Sequence, residues 1–170
     1  MRVLVLVGIG WCFYQDIGYL FFGSRLKRLS ESFLSDVNAI YKKQKIGFDA
    51  SWFPVFYILS KSKEVSIRHI SNELVISHSA ASQMVSSLQE KGFIKTATSK
   101  KDARHKVVTF TAKGEKLVTK IEPVWNALQQ SMNELANESS QSKKLLKALT
   151  AFENNLKKES ILKRVEKILS

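Results

Sequence analysis

S-I-R-H-I-S-N-E-L-V-I-S-H-S-A-A-S-Q-M-V-S-S-L-Q-E-K-G-F-I, residues 66–94, runs on as K-T-A-T-S-K-K-D-A-R-H-K-V-V-T-F-T, residues 95–111. Ile67, Ile70 and Leu74 recur at helical spacing behind Ser66, which predicts a short capped helix burying those three side chains. Val75 and Ile76 form a turn, and the Ser77 hydroxyl is placed to cap a second helix. Ala81, Met84, Val85 and Leu88 give that helix one apolar stripe. Gly92 ends it where a positive φ is wanted. Opposite the stripe lie His78, Ser79, Ser82, Gln83 and Ser86, a small, hydrogen-bonding set without a carboxylate. Such a face can approach a duplex closely, donate to phosphates and read base edges in a major groove. With the two-stranded hairpin expected over residues 95–111, the pattern is a winged helix-turn-helix.

Outward from this stretch the chain reads as helix. Leu26, Leu29, Phe33, Val37, Ile40 and Tyr41 repeat every three or four residues, predicting a long helix from Asp16 to Ile46 that Gly47 stops. D-A-S-W-F-P-V-F-Y-I-L-S, residues 49–60, starts another, with Asp49 or Ser51 as cap and Pro54 in the first turn. Trp52, Phe53, Phe56, Tyr57, Ile58 and Leu59 are too apolar for an exposed helix, so this is the expected central core helix. K-S-K-E-V, residues 61–65, reads as a linker.

Beyond the hairpin a helix begins at about Ala112 and carries Leu117, Val118, Ile121, Val124, Trp125, Leu128, Met132 and Leu135 on one face. Pro123 should kink it or fall where a backbone donor is dispensable. The polar run N-E-S-S-Q-S, residues 137–142, separates it from the last helices, with Leu145, Leu146, Leu149, Phe152 and Leu156, then Ile161, Leu162, Val165, Ile168 and Leu169. These stripes exceed what a small winged domain can cover, so pairing with a second copy is expected over packing back as a monomer. The organisation expected is an apolar leader over 1–13, an N-terminal dimerisation helix over 14–46, the DNA-binding domain over 47–112 and C-terminal dimerisation helices over 113–170. The fold class is mainly α with a small β-hairpin wing.

Twenty-seven Lys and Arg stand against 15 Asp and Glu, a net charge of +12 in 170 residues. Part of the excess is local. Lys91, Lys95, Lys100, Lys101, Arg104 and Lys106 crowd the hairpin, opposed by Glu90 and Asp102, and a polyanion partner follows. Cys12 is the one cysteine, which excludes an intrachain disulfide and fits a reducing, cytoplasmic setting. His69, His78 and His105 are scattered, so neither a metal site nor a cofactor is expected. Seven glycines include no phosphate-cradling loop, and no nucleophile, base and orienting partner stand at recognisable spacing. An enzyme is not expected.

M-R-V-L-V-L-V-G-I-G-W-C, residues 1–12, lacks a small-x-small cleavage site and is too short to span a bilayer as a helix. It reads as a segment buried in a dimer interface, as a weak membrane-contacting tail, or as translated sequence upstream of the true start. The first and last readings are preferred, and no stable membrane association is expected.

D-A-R-H-K-V-V-T-F-T-A-K-G, residues 102–114, is similar to the wing pattern of the MarR family of bacterial regulators: Asp-x-Arg, a strand, a Thr and a Gly. L-Q-E-K-G-F-I, residues 88–94, is a second and less specific likeness. G-S-R-L-K-R-L-S-E and S-W-F-P-V-F-Y-I-L-S resemble a branch often fused ahead of a GNAT-type acetyltransferase, a domain not expected after S-I-L-K-R-V (160–165). The resemblance extends from about Tyr14 to the end. Two departures stand out: Ser71 where the family usually has Ala, and Val75 where the turn usually has Gly. Val disfavours a positive φ, so the turn is expected to be built differently or to carry strain.

What the resemblance implies is a homodimeric transcriptional regulator, more often a repressor, on a pseudo-palindromic operator in double-stranded DNA. Ser77, His78, Ser79, Ala80, Ser82, Gln83 and Ser86 would form the recognition surface, with Gln83 able to pair with adenine in a bidentate way. Arg104 would enter the minor groove, oriented by Asp102, while Lys100, Lys101 and Lys106 hold the backbone. Phe33, Trp52, Phe56 and Tyr57 could line a pocket for a small aromatic or phenolic effector, although an aromatic stripe at helical spacing is more often core. Two alternatives remain: a redox sensor working through Cys12, and a dimeric protein-interaction module that no longer reads DNA.

Overall fold

The computed structural model describes residues 17–62, 64–98 and 106–170, and the chain divides into two compact units at Ile121/Glu122. In the first unit a 3-10 turn at Gly18–Phe21 leads into α1 (Phe22–Lys43). Its end departs from expectation. The helix stops at Lys43, ahead of Gly47, because Lys45 takes φ 55°. Lys45 N–H donates to Lys42 O at 3.0 Å and Ile46 N–H to Tyr41 O at 2.9 Å, the paired bonds of a Schellman end.

The same closure recurs twice. Val75 N–H donates to Asn72 O at 3.2 Å and Ile76 N–H to Ser71 O at 3.1 Å, with Val75 at φ 53°. Gly92 N–H donates to Gln89 O at 2.8 Å and Phe93 N–H to Leu88 O at 3.1 Å, with Gly92 at φ 73°. A Lys, a Val and a Gly thus fill one left-handed position in three helix ends. The turn at Val75 is built as a glycine would build it, and a β-branched residue carries the cost.

Asp49 caps a 3-10 turn at Ala50–Trp52, accepting from Ser51 N–H at 2.8 Å, and α2 (Phe53–Lys61) follows with Pro54 in its first turn. Asn38 Oδ1 on α1 accepts from Ala50 N–H at 2.8 Å and ties the two segments together. Around them runs an aromatic cluster in mostly edge-on contacts, the geometry ring quadrupoles favour. Phe48 lies 5.0 Å from Tyr41, 5.6 Å from Trp52 and 4.9 Å from Phe56, centroid to centroid. Phe56 continues to Phe93 at 5.9 Å and Phe110 at 5.1 Å. It has no solvent exposure at all, and Val55 and Leu59 are buried with it. Phe53 and Tyr57 on the same helix are exposed, so the helix buries one face and not its whole circumference.

The wing is a three-stranded antiparallel sheet in the order β1-β3-β2. β2 (Ile94–Thr98) and β3 (Lys106–Phe110) pair from Ile94↔Phe110 to Thr98↔Lys106, as the hairpin reading requires. The third strand corrects that reading. The end of the expected linker is β1 (Val65–Ser66), with Val65 opposite Val108 and Ser66 opposite Val107. Val65, Val108 and Ile94 are buried, so the sheet closes one side of the core.

Between β1 and β2 lie α3 (Ile67–Glu73) and α4 (His78–Glu90). After the sheet, α5 (Ala112–Asn137) begins at the expected residue and stays continuous through Pro123 and across the boundary between the units. In the second unit the polar run holds Ser139, whose hydroxyl caps α6 (Ser140–Lys143) by accepting from Ser142 N–H at 3.0 Å. Then come α7 (Leu145–Lys158) and α8 (Ile161–Leu169), the latter capped by Ser160. Glu159 pairs with Arg164 and Lys167, pinning the start of α8. Leu162 is 67% exposed and Ile168 83%, so the apolar face of α8 is open in the isolated chain.

Candidate nucleic-acid interface

The helix-turn-helix forms through local chemistry. Ser66 Oγ accepts from His69 N–H at 3.0 Å and Ser77 Oγ from Ala80 N–H at 3.1 Å, so each helix begins on a serine cap. Ile70 seats α3, while Ala81, Val85 and Leu88 seat α4, all essentially sealed from water. Burying that stripe turns the other side of α4 outward. His78, Ser79, Gln83 and Ser86 are exposed, and Ala80 and Ser82 half-buried. At 13 residues α4 is about 20 Å long, enough to lie in a major groove about 12 Å wide.

His78, Ser79, Ser82, Gln83 and Ser86 line one continuous shallow surface, as the spacing predicts, and two residues join them that sequence reasoning leaves out. Ser87 and Glu90 extend it by one turn. The expectation of a face without a carboxylate therefore holds for its first turns and fails at its far end. Helical periodicity carried past Ser86 finds Glu90, which charge counting alone assigns to the hairpin.

On the wing, Lys106 is exposed at the start of β3, and Lys95 is exposed on β2 opposite Thr109. Lys100, Lys101, Asp102 and Arg104 lie outside the described residues, as does Cys12. The four aromatic residues suggested for an effector separate into different settings. Phe56 and Trp52 belong to the aromatic cluster, whereas Phe33 (38% exposed) and Tyr57 (44%) sit at the surface. Among the described residues no group of three or more His, Cys, Asp and Glu could hold a metal ion. No helix among them is long and apolar enough to cross a membrane.

The comparisons with known proteins agree with this geometry. The model of the MarR family matches residues 46–105, from the end of α1 to the edge of β3. No curated protein matches the chain in sequence. Solved structures do match in fold. A MarR/EmrR family transcriptional regulator from Acinetobacter sp. ADP1 is 21% identical, with 80% of this chain and 94% of that one covered and a TM-score of 0.63. The S. aureus MepR–DNA complex gives 17% identity, coverage of 79% and 97%, and a TM-score of 0.65. The M. tuberculosis regulator MOSR, in complex with DNA, gives 16%, 77% and 95%, and 0.61. The matched segment contains the capped helix pair, the serine-rich face of α4, β1 and β2, and stops just before β3. The likeness to the MarR family thus covers residues 46–105 in sequence, and beyond them the likeness to solved MarR-type structures is one of fold.

Proposed function

We propose that the protein is a sequence-specific, ligand-responsive repressor that binds a pseudo-palindromic operator as a homodimer in the cytoplasm. The observation that carries this reading is the outward face of α4, where Ser79, Ser82, Gln83 and Ser86 sit on a capped helix beside a basic hairpin. Gln83 is exposed and reads one base per half-site. The wing lysines and Arg104 supply backbone and minor-groove contacts. Dimerisation is supported by apolar side chains left open at both ends of the chain, among them Leu26, Leu29 and Phe33 on α1 and Ile161, Leu162, Val165 and Ile168 on α8. Of the four aromatic residues, Phe33 and Tyr57 are each exposed and open to a small phenolic effector, while Trp52 is half-buried and Phe56 part of the core.

Selection of duplexes from a random library at near-physiological salt tests the reading. An enriched inverted repeat supports both dimer and specificity, while salt-sensitive bulk binding without enrichment refutes them, because any protein of this charge binds DNA non-specifically. On the selected duplex, Arg104→Ala should weaken binding roughly tenfold to a hundredfold with unchanged circular dichroism and dimer mass. Gln83→Ala should change preference at one base per half-site by about 1–3 kcal/mol. A uniform loss across sequences would instead make Gln83 a backbone contact. A panel of small phenolic acids that leaves the affinity for that duplex unchanged would remove the ligand response.

A further inference from the structure

The exit of α4 is bound to the entry of α5 by a set of contacts that touches no surface assigned to DNA. The Thr111 hydroxyl donates to Gly92 O at 2.7 Å, lies 3.2 Å from Phe93 O, and accepts from Gly114 N–H at 3.1 Å. Thr111 N–H donates to the same Phe93 O at 3.0 Å. Two residues on, Lys113 Nζ donates to Lys91 O at 2.7 Å, while its ammonium sits 4.6 Å from the centre of the Phe93 ring. Gly114 completes the joint, its Cα so close to Phe93 O that a Cβ there would stand 2.0 Å away.

Carbonyls at and just past a helix end need partners from side chains, backbone or water. Here Thr111 and Lys113 take the carbonyls of Lys91, Gly92 and Phe93, three successive groups where α4 turns into β2. The Schellman closure at this end folds α4 back upon itself, which fixes its shape but not its direction. The direction is set along the helix by the buried Ala81, Val85 and Leu88, and at this end by the contact with α5 and the aromatic cluster beneath Phe93.

We propose that Thr111 and Lys113 are positioning residues for DNA reading: they fix the angle at which α4 leaves the domain, and so the fit of its outward face to a major groove. Neither residue touches DNA in this assignment. A small rotation at Gly92 displaces Ser79 near the far end of a helix about 20 Å long, and Gln83 about halfway along it by correspondingly less, where base contacts tolerate little error. The inference rests on the DNA-reading function proposed above.

The test compares wild type with Thr111→Val, which keeps the shape and removes the hydroxyl, Thr111→Ser, which restores it, and Lys113→Met, which keeps the stem on Phe93 and removes the ammonium. Each is taken through random-duplex selection, then titrated against the wild-type repeat over a range of salt. Thr111→Val and Lys113→Met should lose about three- to thirtyfold in affinity for the repeat while binding random duplex as before. Thr111→Ser should match wild type. The slope of log affinity against log salt should not change, whereas a lysine that neutralised a phosphate would take about 0.9 from the slope on removal. Wild-type enrichment with unchanged affinity in both variants overturns the positioning role alone. A fall in slope for Lys113→Met makes that lysine a direct DNA ligand and also overturns it. If wild type selects no repeat, the DNA-reading assignment falls and the positioning role falls with it. Should Thr111→Val not fold, the solvent-exposed Lys113→Met decides.

Discussion

Gly114→Ala should destabilise the domain even though it replaces the poorest helix former but proline with the best. In an open helix that exchange gains up to about 1 kcal/mol. At Gly114 the new Cβ would lie 2.0 Å from Phe93 O and 2.8 Å from Phe110 Cδ1. The ring can turn, but the carbonyl is backbone, so the start of α5 and the start of β2 must part by about 1.4 Å or more to reach ordinary contact. Overpacking of this kind costs about 1–3 kcal/mol. The same displacement strains the bond that Phe93 O accepts from Thr111 N–H, worth about 1 kcal/mol. After the helix gain is subtracted, a net loss of about 1–3 kcal/mol is expected. Urea denaturation followed by circular dichroism, at one fixed protein concentration, reads it as a lower midpoint with little change in slope. Gly23→Ala on α1 is the control, since nothing lies within 4 Å of a Cβ there, and it should be neutral or slightly stabilising. A Gly114→Ala protein as stable as wild type would refute the close approach and the joint built on it.

Val75→Gly should raise the melting temperature. The valine occupies φ 53° and is 78% exposed, so relief of about 1–2 kcal/mol of left-handed strain outweighs the small burial forgone and the added unfolded-state entropy of glycine. A lower melting point would mean that the valine is not strained. Phe56→Ala should cost about 3–5 kcal/mol, the range for a fully buried ring, because Phe48, Phe93 and Phe110 would all face the cavity. A loss below about 1 kcal/mol on chemical denaturation would show that the cluster collapses freely and is not the centre of the core.

What is legible in the sequence is local. Ser66 and Ser77 can be read as caps because a cap needs only a hydroxyl and the next three residues. Gly92 marks its helix end for the same reason. The end of α1 is misplaced by sequence reasoning because the left-handed position falls to Lys45, and a lysine there carries no compositional signal. β1 escapes because two residues have no period, and their partner Val108 is remote in sequence. Glu90 shares the outward face of α4 by plain helical geometry, one turn beyond the stretch that the serine pattern marks. Thr111, Lys113 and Gly114 can be matched as a pattern, yet their work is done on backbone carbonyls of another element. Carbonyls belong to every residue, so no side-chain pattern announces which ones will be used.

The pairing of β1 with β3 has a kinetic side. Val65 opposite Val108 closes a chain loop that holds the entire helix-turn-helix and β2. Closing a loop of that length costs entropy before any contact repays it, whereas α3 packing on α4 is local and cheap. The helix pair should therefore assemble first and the wing last, with the two-residue strand acting as the clasp. Reopening runs in reverse: the wing leaves before the helix pair comes apart. In hydrogen exchange the amides of β1 and β3 should then report the earliest opening of the domain, ahead of the amides of α4.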